Sequence, residues 1–379
     1  MRFFHLSDLH IGLKLYNRDL REDQEYILER IAELAADRQP DAVVIAGDIY
    51  DKAVPSAEAV EVFDGFLSRL REAVPEAAIM LISGNHDSAP RVNCFRNILA
   101  RQNVYMIGNP PMREGDMIQQ VTLEDAFGPV HFFLLPFVKP SMVKSIVGTD
   151  EKGNNLSYDE TLRRLIAREQ IDTAERNVLV SHQFYLPQGK TAEEVERMES
   201  EIRTVGNIDQ VSAEVLGPFD YAVLGHIHKP MKVGSERYRY CGTPLACSVS
   251  EAGQEKSVIE VELGEKGELR TNLLPLRPLR QIHVIRGTLA DVLAQACEDY
   301  VTVILTDSGE GASEDTQDRL RAAFPLLLEV RRENVRQASL FSGTAAAREL
   351  DPYELCLDFL GELDEEEEEI MRDVLEALL

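Results

Sequence analysis

The sequence predicts an α/β protein: two stacked β-sheets flanked by helices, followed by a smaller α/β domain and a helical tail. Three observations predict it. Short apolar, β-branched runs recur along the first two thirds of the chain and read as buried strands. Helical patterns lie between them, which is the signature of α/β architecture. Further strand-like runs at His131 to Phe137, Arg239 to Cys241 and Ser257 to Val261 exceed what one parallel layer needs, so a second sheet is expected.

Five of the runs stop at residues able to hold a metal. Met1 to Leu6 ends in Ser7-Asp8-Leu9-His10, and Ala42 to Ala46 ends in Gly47-Asp48. Ala78 to Ser83 leads into Gly84-Asn85-His86-Asp87, Asn177 to Val180 into Ser181-His182, and Tyr221 to Leu224 into Gly225-His226-Ile227-His228. These stops carry five of the eight histidines. Open α/β sheets place their chemistry just beyond the carboxyl ends of strands.

The helices follow from spacing and caps. Ile27, Ile31, Leu34 and Ala35 share one helix face, as do Val60, Phe63, Leu67 and Leu70 after Pro55-Ser56, with Ser56 as N-cap. Ser157-Tyr158-Asp159-Glu160 is a capping-box pattern that opens a helix bearing Leu162, Leu165 and Ile166. Two prolines in Leu274-Pro275-Leu276-Arg277-Pro278 suggest a boundary, giving domains 1–276, 277–340 and 341–379. Beyond it the pattern restarts as strand (Gln281 to Ile285), helix (Leu289 to Cys297), strand (Tyr300 to Leu305), helix (about Asp315 to Ala323) and strand (Leu326 to Val330). After Ser342-Gly343 one or two amphipathic helices carry Tyr353, Leu357 and Leu360, then Met371, Val374, Leu375 and Leu378, suited to packing on the chain's own body or on a partner helix.

Composition narrows the class. The 379 residues allow two domains and a small third, with no apolar stretch of membrane-spanning length and no basic, apolar leader, so a cytoplasmic protein without membrane contact is expected. Cys94, Cys241, Cys247, Cys297 and Cys356 form no C-x-x-C pair and are expected as reduced, mostly buried thiols. A net charge of −26 argues against coating nucleic acid through the overall field, but much of it sits in the acidic stretch from Glu349 to Leu379, including Glu365 to Glu369.

The ligand types point to two divalent ions. Asp8 and His10 are two apart, so their side chains can face one way on an extended segment, and His226 and His228 repeat that spacing. Asp48, after Gly47, can bridge two ions, with Asn85 and His182 completing the second. Mixed imidazole, carboxylate and amide donors suit manganese, iron or zinc better than magnesium. Two such ions carry four positive charges, and Asp8 with Asp48 neutralise two, leaving a pocket that attracts a phosphoester. His86 is then free to assist the leaving oxygen, oriented by a carboxylate such as Asp87. His5, His131 and His283 are expected in structural roles.

In this order the motifs D-x-H, GD, GNHD, H and GH-x-H resemble the calcineurin-like metallophosphoesterase superfamily, whose fold is an αββα sandwich. Phe4 to Gly12, Gly47 to Asp51 with Pro55-Ser56, Gly225 to Pro230 and Tyr240 to Leu245 more closely resemble the SbcD family of bacterial nuclease subunits, over Met1 to about Leu276. The resemblance implies one ion on Asp8, His10, Asp48 and His228, the other on Asp48, Asn85, His182 and His226, and a catalytic His86 assisted by Asp87. It also implies a manganese-dependent 3′ to 5′ exonuclease on duplex DNA and endonuclease on single strands and hairpins, acting in repair, recombination and replication as a homodimer bound to an SbcC-type, SMC-like ATPase. On this view the domain after Arg277 caps DNA and the C-terminal helices dock on the ATPase. One departure is Asp51, where the archaeal and eukaryotic branch carries a second histidine. Lys14, Arg18, Lys52, Arg91 and Lys229 lie near the motifs and can reach phosphates or serve solubility. A phosphatase or small phosphodiesterase on the same fold is the competing enzyme reading. A non-catalytic scaffold would have lost ligands, and all seven are present.

Overall fold

A computed structural model describes residues 1–187, 189–190, 198–201, 209–306 and 314–333, and divides the chain into units Met1–Arg331 and Arg332–Leu379. The expected C-terminal helices lie outside the described residues, as does Cys356.

The first unit is built on two six-stranded sheets. One runs in the order Leu269–Leu276, Lys256–Leu263, Arg2–Leu6, Ala42–Ala46, Ala78–Ile82, Val104–Ile107; its last four strands are parallel and its first two are added antiparallel. The other runs Met231–Lys232, Tyr238–Tyr240, Tyr221–Gly225, Arg176–His182, Gly128–Leu135, Gln119–Asp125, parallel through its middle with an antiparallel strand at each edge.

Why the central strands are apolar on both faces is visible in their side-chain alternation. Phe4, Leu6, Val43, Ile45, Ile79 and Leu81 face the helices Arg21–Arg38 and Ala57–Ala73, meeting Ile27, Ile31, Phe63, Phe66 and Leu70. The alternate residues Phe3, Val44, Met80 and Ile82 face the second sheet, where Phe132, Leu134, Val178, Val180 and Val223 complete the middle layer. The far side of that second sheet packs Leu179, Ala222 and Leu224 on Leu162, Leu165 and Ile166 of helix Tyr158–Arg168. Two stacked sheets between helices are thus present as expected. Each fully buried Leu, Ile, Val or Phe contributes roughly 1.5–3 kcal/mol.

The predicted caps form: Ser56 Oγ accepts from Ala59 N–H at 3.3 Å and Ser157 Oγ from Glu160 N–H at 3.1 Å. Glu160 does not complete its box, because its carboxylate accepts from Arg164 at 2.6 Å instead. The strand entering the two-proline segment ends at Leu276, and Pro278 follows it. Pro275 lies inside Leu269–Leu276, and that strand is at the sheet edge, where a missing N–H costs no ladder bond.

After it, Ile282–Gly287, Tyr300–Leu305 and Leu327–Arg332 form a separate three-stranded sheet with helices Leu289–Leu293 and Glu314–Ala323 around Ile285, Val301, Val303, Leu320 and Phe324. Within the first unit this module is tied to the large domain by several polar contacts, including the Arg280–Glu22 ion pair. Asp23 Oδ2 accepts from Arg280 Nη1 and from the Tyr300 hydroxyl, each at 2.8 Å, and Arg18 donates to the Leu327 carbonyl at 3.1 Å. Among the described residues no helix is long and apolar enough to cross a membrane. Cys241 and Cys247 are buried thiols, whereas Cys94 is exposed.

Candidate metal centre

The five strand ends converge on one cleft at the carboxyl edges of both sheets. Backbone bonds stitch the first two together: Asp8 N–H donates to Gly47 O and His10 N–H to Asp48 O, each at 3.0 Å. The turns needed to aim these side chains put Asp8, His10, Asp48 and His226 in left-handed backbone, with φ of 54°, 43°, 48° and 100°. Such conformations are sparse for non-glycine residues and persist where surrounding structure imposes them. Gly225 is required by proximity, since a Cβ there would lie 2.0 Å from Ala46 O and 2.7 Å from His182 Nδ1.

The donors form two groups that share Asp48. His10 Nε2 and His228 Nε2 face each other at 3.1 Å, with Asp8 Oδ1 3.9 Å from the latter and Asp48 Oδ2 3.8 Å from the former. On the other side, His182 Nε2 lies 3.2 Å from Asp48 Oδ2 and 3.0 Å from Asn85 Oδ1, and His226 Nδ1 lies 2.8 Å from the same Asn85 oxygen. All seven predicted ligands are therefore brought together. Asp8, His10, Asp48, His182, His226 and His228 are buried and Asn85 is half-buried.

This donor set fits divalent cations. Two imidazole nitrogens opposed beside two buried carboxylates present lone pairs and negative charge that a cation between them would satisfy. Protonation shows the same demand. Burial lowers the His182 pKa, but the Asp48 charge and hydrogen bond outweigh it and lift the value to about 9, so a proton takes up the positive charge the site favours. Burial pushes Asp8 up to about 6 and His10 down to about 3. For Asp48, burial is overcome by His182 and the carboxyl stays below its ordinary range. The His182 ring is also aimed from behind: its Nδ1–H donates to Ala46 O at 2.6 Å, which leaves Nε2 for a ligand role.

His86 stands beside this set, its ring edge-on to His10 with centroids 4.8 Å apart and its backbone N–H on Asp48 Oδ1 at 2.8 Å. Its orientation corrects one expectation. Nδ1–H donates to the Asp51 carbonyl at 2.9 Å, while Asp87 spends both oxygens on the N–H groups of Ile49, Tyr50 and Gly84 at 2.9–3.1 Å. Asp87 therefore shapes the loop that carries His86, and a backbone carbonyl holds the imidazole. Burial first, then the Asp48 charge, raises Asp87 to about 6. Asp51 offers its own carboxylate to His10 Nδ1 at 3.9 Å.

Other expectations also find their places. His5 is buried between the sheets on Tyr221 and Leu224, His131 pairs with Glu175 at 2.6 Å, and His283 with Asp299 at 3.0 Å. Arg18 is occupied with the small module, not with the cleft. Glu251 and Lys256, which no motif spacing announces, form a buried cluster behind His228 with Thr243 of the Tyr240 to Leu245 motif.

Residues 1–230 match the family described as Calcineurin-like phosphoesterase, and residues 276–362 match a Type 5 capsule protein repressor C-terminal domain. Over 302 residues the chain is 31% identical to the SbcD subunit of the SbcCD nuclease from Staphylococcus saprophyticus, covering 79% of this chain and 75% of that protein. The chain belongs to the SbcD family of calcineurin-like phosphoesterases. Among solved structures, a dimetal phosphatase from Danio rerio is similar with 14% identity and a TM-score of 0.45, covering 74% of this chain and 98% of that one. The protein TT1561 of Thermus thermophilus aligns with 14% identity and a TM-score of 0.41, covering 72% and 98%. Membership implies divalent-metal phosphoesterase chemistry, and the cleft includes side-chain groups able to hold a metal ion.

Proposed function

We propose that the chain is the nuclease subunit of a DNA-end-processing complex, a manganese-dependent phosphodiesterase with two metal ions. The observation that carries this reading is the convergence of all seven donors and His86 on one cleft, in a family whose relative is a nuclease subunit. Asp8, His10, Asp48 and His228 hold one ion and Asp48, Asn85, His182 and His226 the other. When bound, two such ions supply Lewis acidity toward the phosphoryl oxygens and a water of lowered pKa.

The protein's own groups do the rest. Asp8 and Asp48 set the charge balance so that a phosphodiester is attracted despite the chain's net charge. His86, fixed through Nδ1 on the Asp51 carbonyl, keeps Nε2 to deliver a proton to the departing 3′ oxygen. Residues 277–340 act as a DNA-capping domain, and residues 341–379 bind an SbcC-type, SMC-like ATPase. The subunit works as a homodimer in DNA repair, recombination and replication, with 3′ to 5′ exonuclease and hairpin endonuclease action.

Cleavage of end-labelled duplex, hairpin and single-stranded DNA with manganese, with and without the ATPase, tests the assignment. No cleavage in any arm, with turnover of phosphomonoesters instead, would give the fold to a phosphatase. His86→Ala is expected to keep both metals and lose about 10²–10⁴-fold in rate. Loss of metal binding in that variant would make His86 a ligand.

A further inference from the structure

We infer that Glu251 is a positioning residue for His228: acting through the Ser200 hydroxyl, it fixes the ring proton on Nδ1 and leaves Nε2 free to hold a divalent ion. The inference rests on the metal-site reading above but not on which phosphoester is cut.

His228 Nε2 faces the cleft, 3.1 Å from His10 Nε2, so a role as ligand requires its lone pair there and the proton on Nδ1. Behind the ring, Ser200 Oγ lies 2.7 Å from Nδ1 and 2.8 Å from Glu251 Oε1, with the Glu251 oxygen itself 3.5 Å from Nδ1. A hydroxyl can give or take a proton, whereas a carboxylate only accepts. Glu251 therefore makes Ser200 donate toward it, and Ser200 can then only accept from His228. The donor and acceptor pattern assigns the chain Nδ1–H to Oγ–H to Oε1.

The carboxylate is kept in its accepting form by its own neighbours. Lys256 Nζ donates to Glu251 Oε2 at 2.6 Å and the Thr243 hydroxyl donates to the same oxygen at 2.8 Å, with Lys256 also donating to Thr243 Oγ1 at 2.7 Å. Glu201 adds a second restraint, accepting the His228 backbone N–H at 2.9 Å. A plain structural ion pair between Glu251 and Lys256 would need none of the Ser200 geometry.

Glu251→Gln conserves shape but supplies an amide donor, so Ser200 is released to donate to Nδ1 and drive the proton to Nε2. In metal-free full-length protein, ¹⁵N spectra of the histidine rings should show the wild-type His228 as the Nδ1–H tautomer and the variant shifted toward Nε2–H. Titration with Mn²⁺ should show one of two sites weakened about 10–100-fold and the other retained. Ser200→Ala, at a half-buried loop position, should weaken the same site and serves if Glu251→Gln fails to fold. An Nε2–H tautomer in the wild type, or unchanged manganese affinity in the folded variants, overturns the inference. Neither readout depends on DNA cleavage, so failure of the nuclease reading would be seen separately.

Discussion

The sheet containing Arg2–Leu6 brings Asp8, His10, Asp48 and Asn85 to the cleft, whereas the sheet containing Arg176–His182 brings three imidazoles, His182, His226 and His228. The first contributes every ionisable oxygen ligand, on loops in left-handed backbone that are laced to one another. On the second sheet, two of the imidazole donors are aimed by acceptors outside the cleft: Ala46 O for His182, and Ser200 with Glu251 for His228. Charge is thus set by one sheet, and these two imidazoles of the other are oriented by groups outside their own sheet. A cation held by the proposed donor set would need both sheets docked.

The strongest way to break this division is at Asp48, the one donor shared by both groups. Asp48→Asn should abolish binding of both ions and reduce hydrolysis by at least about 10³-fold, whereas His228→Gln should weaken one ion; isothermal titration with Mn²⁺ separates them. Equal effects would mean that the sheets are not specialised. Next comes the contact between them. Gly225→Ala places a Cβ against the Ala46 carbonyl, which cannot yield as a flexible side chain would, and should cost about 1–3 kcal/mol or more in urea unfolding, with weakened metal binding. If the ions bridge the sheets, saturating manganese should stabilise the protein by about 2.7 kcal/mol at 100-fold excess over Kd, and a chelator should remove that gain in the melting curve.

The smallest expected effect lies away from the ligands, at His5, whose ring joins the sheets through Tyr221 and the Leu224 carbonyl. Burial lowers its pKa from 6.5 to about 3. The native state therefore binds fewer protons than the unfolded chain between those values. The neutral His5 contributes fully above pH 6.5, and its contribution is lost progressively as pH falls toward 3. By about pH 5.5 the loss should be on the order of 1 kcal/mol, and His5→Gln should flatten that part of the stability profile. A parallel profile in the variant would place acid sensitivity elsewhere.

How far the sequence reveals this molecule varies with the kind of interaction. Central strands are legible because burial on both faces makes them continuous apolar runs, and their ends are legible because ligands follow. Edge strands such as Gln119–Asp125 and Leu269–Leu276 are not, since one carries mostly polar residues and the other a proline that only an edge tolerates. The ligands themselves are all visible in the motifs. The groups behind them are hidden for a physical reason: the Asp51 partner of His86 is a backbone carbonyl, which any residue offers, and Glu251 reaches His228 through a hydroxyl from a different segment. Asp87 misled because adjacency in sequence suggested contact, whereas the turn directs its oxygens onto three amides.

The distribution of donors from Asp8 to His228 also has a consequence for biosynthesis. Because the opposed pairs join residues near the N-terminus to residues beyond position 225, the donor set is incomplete until His228 has been added to the chain. Contacts of such long sequence separation form late and slowly. On the proposed ligand set, ion loading would follow synthesis of these segments, and the ions then available would compete for the finished cleft.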